Sequence, residues 1–262
     1  MAPPMRGSPT PGRQAAVLWD DGRLLALSKP PGVSLITRRA APEEAVTRLL
    51  AALPAVEREE HGLEPASLWL VHRLDVGTSG VVLLARDRET HRCLARLLAD
   101  HLVIKEYLAL VWGHPSPAVG EIALPLGPDR TDRRRMRVVR DGGRSALTRY
   151  RVIGRAPHVA LVHATPETGR THQIRVHLAA LGHPIVGDDL YGGPRHRGVR
   201  DPRTRALLAP DHPFLHAWRL SLPAASCTPE IILSAPLPPD FAAALALLGL
   251  ESLAEVLGRV RT

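Results

Sequence analysis

An aspartate, an arginine, a histidine and two hydroxyl side chains fall within nine residues, His72-Arg73-Leu74-Asp75-Val76-Gly77-Thr78-Ser79-Gly80. The stretch lies between two strand-like apolar runs, LWLVH and VVLLAR, so its polar groups are presented at the end of a sheet, where loops commonly carry function. A carboxylate there can act as nucleophile or base on a substrate that reaches it. The same residue types also build tight turns, and alone the stretch leaves both readings open. Three other chemistries find no support. His172 and His177 are five apart rather than three or four and no HExxH occurs, against a metal site. No GxSxG elbow, GxxxxGK[ST] loop or GxGxxG after a strand is present, against a serine hydrolase and a nucleotide site.

The charge balance narrows the partner. A formal charge of +8 and a pI near 10.6 favour a polyanion, because clustered cations release counterions from a phosphate backbone; a merely soluble basic surface is the alternative. The charge is clustered: seven arginines lie between Pro125 and Ser145. Of these, Arg133, Arg134, Arg135, Arg137 and Arg140 are the candidates for contact with a phosphate backbone. A second arginine-rich stretch runs from Pro194 to Arg205, and both are expected as mobile loops. Lysine is nearly absent, with Lys29 and Lys105 alone among 34 basic residues. Cys93 and Cys227 are far apart and form no CxxC pair, which indicates neither a disulfide nor a cysteine metal site and fits a reducing compartment. Residues 1–13 are Pro-rich without an apolar core, and no run is long enough to span a bilayer, so a cytoplasmic protein without membrane attachment is expected.

The elements that must position these groups read as strands in runs with scattered helices. Residues 15–29 predict a hairpin around Asp21-Gly22. A helix is expected over 43–53, ended by Pro54, and another over 88–102, with leucines 94, 97, 98 and 102 on one face and Arg88, Arg92 and Arg96 on the other. That basic stripe serves equally as a solvated face or a nucleic-acid contact. Strands are expected at 104–112, 146–153 and 158–164, and a helix from Thr171, closed by Gly182. The pattern predicts an α+β fold, a mostly antiparallel mixed central sheet flanked by helices with a catalytic cleft. The expected organisation is a disordered tail over 1–13 and a single catalytic domain over 14–262.

The separated motifs resemble the RluA family of pseudouridine synthases. The family's HRLDxxTSG is complete at 72–80; Lys29-Pro30-Pro31-Gly32 is similar to its KPxG segment, and KEYLALVWG at 105–113 to its KxYxAxVxG strand. TGRTHQIRVH at 168–177 and GHPIVGDDLYGG at 182–193 follow in the family's order. The resemblance covers about residues 15–240. Gly143-Arg144 stands where relatives carry Gly-Lys, and the small N-terminal RNA-binding domain that many relatives append is not expected here.

The resemblance implies cofactor-free isomerisation of uridine in tRNA or large-subunit rRNA or both, with short stem-loops the expected targets and a monomer the default state. The N1 glycosidic bond is cleaved, and the base turns and rejoins ribose through C5. Asp75 would be the catalytic carboxylate, acting at C6 of the base, at C1′ of the sugar or on the C2′ proton; the three routes stay open. Arg175 would hold that carboxylate through a two-pronged ion pair. Tyr107 would stack on the base and assist removal of the C5 proton, Ile174 would wall the ring, and Arg73 would fill the gap left by the flipped base. Lys105, Arg170 and His72 complete the substrate-binding set, with His72 mainly structural. The competing reading is a noncatalytic RNA-binding or ribosome assembly factor that retains the fold.

Overall fold

A computed structural model of the chain describes residues 14–36 and 43–250. The tail over 1–13 lies outside them, as do residues 37–42 and 251–262. The elements in order are β1 (Ala16–Asp20), β2 (Leu24–Lys29), α1 (Glu43–Leu50), α2 (Ala55–Glu60), β3 (Trp69–Leu70), β4 (Ser79–Ala85), α3 (Arg88–Ala99), β5 (Ile104–Trp112), β6 (Val119–Ile122), β7 (Leu126–Pro128), β8 (Met136–Val138), β9 (Thr148–Ala156), β10 (Val159–Pro166), α4 (Gln173–Ala180), α5 (Pro202–Leu207), β11 (Leu215–Leu222), β12 (Ile231–Ser234) and α6 (Pro239–Leu247).

Ten of the strands form one mixed sheet along the path β1-β2-β4-β11-β5-β10-β9-β6, with β12 beside β11 and β3 beside β4. The β4–β11 pair is parallel and the other pairs are antiparallel. Central strands β4 and β2 are buried at every position, which is why they read as continuous apolar runs rather than alternating ones. Helix α1 packs Ala45, Val46, Leu49 and Leu50 on one side of the sheet, and α3 packs Leu94 and Leu97 on another cluster. The expected face of α3 is right over its first three turns. It stops at Ala99, however, and His101 turns the chain in the left-handed region at φ 58°, leaving Leu102 exposed.

Strand β11 joins the two halves. Ala217 faces Gly80 on β4 on one side and Tyr107 on β5 on the other, so one residue sets the register of two separated motifs. The approach at Gly80 is close. Its φ is +115°, and a Cβ there would lie 2.1 Å from the Ala217 carbonyl oxygen, so only glycine fits.

Three features depart from the sequence reading. Cys93 and Cys227 form a disulfide: α3 crosses the β11–β12 turn, and a separation of 134 residues hides a proximity that sheet topology alone creates. The arginine-rich segment after Pro125 contains the β7–β8 hairpin. Asp129 accepts from the Thr131 amide and hydroxyl, and Asp132 accepts twice from the Arg134 guanidinium, so the acidic residues shape the turn. The stretch 194–205 likewise contains a 3₁₀ turn and α5, which Asp201 caps through the Thr204 amide. Among the described residues no helix is long and apolar enough to cross a membrane.

Candidate active site

Asp75 sits in the loop between β3 and β4, fixed at both sides by backbone. Its carbonyl accepts from the Thr78 amide at 3.1 Å, and the Val76 carbonyl accepts from the Gly32 amide at 2.8 Å. Lys29, fully buried at the end of β2, donates from Nζ to the carbonyls of Pro30, Val33 and Val76 at 2.9–3.1 Å. That one side chain ties the first motif to the second. Burial lowers its pKa to about 7, against the pull of the nearby Asp75 charge.

The loop opens on a cavity of about 440 Å³ lined by Asp75, Tyr107, Ile174, Arg175, Arg73, His72, Lys105 and Arg170, with α3 contributing Leu98 and Ala99. All eight candidate catalytic and substrate-contacting residues thus meet at one place. Tyr107, on β5, packs against two clusters that share one face of the sheet. Burial and the Asp75 charge push its phenol above the ordinary range, so the hydroxyl keeps its proton at neutral pH. Ile174 is 6% exposed, both core and cavity wall. Arg73 is exposed and donates to Thr171 Oγ1 at 3.2 Å. Arg170 donates from Nε to the Ser145 carbonyl at 3.0 Å, and its amide and the Thr168 hydroxyl donate to Gln173 Oε1, which stiffens the entry to α4. His72 Nε2 accepts from the Leu83 amide; burial and then Lys105 bring its pKa down to about 4, which fits its structural assignment.

Arg175 departs from expectation. Its guanidinium fork is on Asp188, with Nε–Oδ2 at 2.7 Å and Nη2–Oδ1 at 2.8 Å, and it reaches Asp75 through Nη1 alone at 3.4 Å. The buried arginine therefore bridges two carboxylates. Burial opposes its charge, but Asp188 and then Asp75 outweigh that and raise its pKa. Asp188 and Tyr191 lie in the GHPIVGDDLYGG stretch, and sequence reasoning gave neither a role. The signal was a carboxylate in a motif beside one that carries a buried arginine, which requires a partner. His172 lies with Nε2 3.8 Å from Asp75 Oδ2 and Nδ1 2.8 Å from the Tyr191 hydroxyl. The five hairpin arginines, 133, 134, 135, 137 and 140, are not among the residues lining the cavity; all five are exposed.

The family model described as RNA pseudouridylate synthase matches residues 23–180, which hold the Asp75, Tyr107 and Arg175 motifs. The dual-specificity RNA pseudouridine synthase RluA of Escherichia coli K12 is 37% identical over 186 residues, 70% of this chain and 80% of that protein. The chain belongs to the RluA family of RNA pseudouridine synthases. The ribosomal large subunit pseudouridine synthase D of Nitrosomonas europaea is 36% identical over 87% of this chain and 64% of its own length. Two human structures, RNA Pseudouridylate Synthase Domain Containing 4 and 1, superpose with TM-scores of 0.68 and identities of 29% and 26%. They cover 89% and 91% of this chain, and 92% and 90% of theirs. The expected α+β sheet with flanking helices is the fold these pseudouridine synthases share, and the chain is accordingly an isomerase acting on RNA.

Proposed function

We propose that this pseudouridine synthase isomerises uridines in stem-loops of tRNA, large-subunit rRNA or both, with Asp75 as the catalytic carboxylate. The observation that carries the reading is the meeting of Asp75, Tyr107, Ile174 and Arg175, from three separate motifs, around one cavity. Its volume lies in the range of pockets that enclose a small ligand, about 300–1,000 Å³, as a flipped-out nucleotide needs. Tyr107 offers its ring to the base, Ile174 adds an apolar wall beside it, and Arg175 orients the Asp75 carboxylate. Arg73, exposed beside the cavity, is free to fill the vacated stack. The N1–C1′ bond breaks and C5–C1′ forms, the proton leaving C5 being balanced by one gained at N1, so no redox partner is required. The hairpin arginines outside the cavity hold the backbone. The names of the curated relatives, one a dual-specificity RNA enzyme and one a ribosomal large subunit enzyme, support large-subunit rRNA and more than one RNA target.

Asp75→Asn tests this. It is expected to bind RNA as the wild type does and to yield no pseudouridine when labelled products are mapped by primer extension. Wild-type product formation by that variant would overturn the reading. Complementation of a deletion by the same variant would instead support a noncatalytic factor.

A further inference from the structure

The arginine hairpin and the catalytic carboxylate are joined by two side chains. The Met136 amide, at the start of β8 and directly after Arg133, Arg134 and Arg135, donates to the Tyr191 hydroxyl oxygen at 2.8 Å. A backbone N–H can only donate, so the phenol accepts there, and its own proton is available to His172 Nδ1, also at 2.8 Å. An imidazole accepting at Nδ1 carries its proton at Nε2 when neutral, and Nε2 faces Asp75 Oδ2 at 3.8 Å. Burial lowers the His172 pKa, and Arg175 and Arg73 add to this against the opposing charges of Asp75 and Asp188, so the ring is neutral. The Tyr191 ring also has two guanidinium groups near it, Arg135 at 5.5 Å from the hairpin and Arg175 at 5.1 Å from the site.

His172 is held in an unusual backbone state. It precedes α4 with φ 55° and ψ 19°, the left-handed region that non-glycine residues rarely adopt. Such a conformation persists where its surroundings fix it. Here the fixed outcome is an imidazole between Tyr191 and Asp75. The 3.8 Å gap is outside hydrogen-bond range, and contacts of this kind commonly shorten only when substrate is bound.

We propose that Tyr191 and His172 are positioning residues that couple the arginine hairpin to Asp75: seating of the hairpin on RNA closes His172 Nε2–H onto the carboxylate and sets its orientation toward the uridine. The proposal rests on the reading of the cavity as the uridine site. It makes backbone contact far from the target base a condition for turnover and not merely for binding, so an RNA that leaves the hairpin unseated reacts slowly even when bound.

Tyr191→Phe removes one oxygen and keeps the ring beside Arg135 and Arg175. The expected result is a fall in kcat of about tenfold, with RNA affinity and KM within about twofold and an unchanged thermal midpoint. His172→Ala is expected to lose a similar factor, and His172→Gln, which can place an N–H near the Nε2 position, to recover most of it. The Tyr191→Phe, His172→Ala double variant should be no slower than His172→Ala alone, since both act through one connection. Wild-type kcat in Tyr191→Phe, a change confined to KM, or losses that multiply would each overturn the coupling. If Asp75→Asn remains active, the site reading itself fails; if it is inactive while Tyr191→Phe behaves as wild type, only the coupling fails.

Discussion

Arg175 is anchored on Asp188 by two short hydrogen bonds and reaches Asp75 with one longer contact. The division of labour is physically sensible. The tight pair satisfies the guanidinium and fixes its plane in a buried place, while the looser contact leaves Asp75 lone pairs free for substrate.

Asp188→Asn therefore leaves a buried guanidinium short of its main counter-charge. We expect a loss of about 3 kcal/mol in urea unfolding, the lower end of what breaking a buried pair costs, and at least a tenfold fall in turnover. Asp189→Asn, at the exposed neighbour, is the stability control and should match the wild type in urea unfolding.

Gly80→Ala tests the close approach of β4 and β11. With φ +115° and the Ala217 carbonyl oxygen 2.1 Å from the new Cβ, strand separation is unavoidable. The expected cost is about 3 kcal/mol, seen as a thermal midpoint lowered by roughly 10 °C. Loss of activity should accompany it, because Ala217 also sets the register of Tyr107.

Acid should destabilise the fold through His216, which accepts from Ser79 Oγ at Nδ1 and donates from Nε2 to the Ala235 carbonyl. Burial holds its pKa at about 4 against an ordinary 6.5. Between those values the unfolded chain binds a proton that the folded state does not, so stability is full above 6.5 and falls as pH drops toward 4, by about 3 kcal/mol. His72, shifted the same way by burial, deepens the loss. In urea unfolding at pH 7 and pH 4.5, His216→Gln should lose less stability than the wild type over the interval; equal losses would refute the assignment.

Reduction of the Cys93–Cys227 disulfide opens a covalent loop of 134 residues. A fall in stability of about 2–4 kcal/mol is expected, chiefly from the freedom regained by the unfolded chain. Urea midpoints with and without dithiothreitol measure it, and Cys93→Ser should sit at the reduced value in both.

The candidate site residues and most of the elements around them were readable from the chain's own motifs and periodicity. Asp75, Tyr107 and Arg175 were legible because each lies in a contiguous motif, and the β1–β2 hairpin, α1, β5 and α4 because their apolar periodicity is local. Hairpin β7–β8 was not legible as strands, since each strand is only three residues long and the arginine-rich turn between them is shaped by Asp129 and Asp132. The remaining contacts join chain segments far apart in sequence. Ala217 meets both Gly80 and Tyr107 because β11 inserts between β4 and β5. The same insertion, with α3 packed over it, brings Cys93 to Cys227. Which of two carboxylates takes the Arg175 fork follows from burial and side-chain direction at helix α4 and two loops. Residue types and spacing specify what a site can do; sheet order and a few non-local contacts decide which groups face one another.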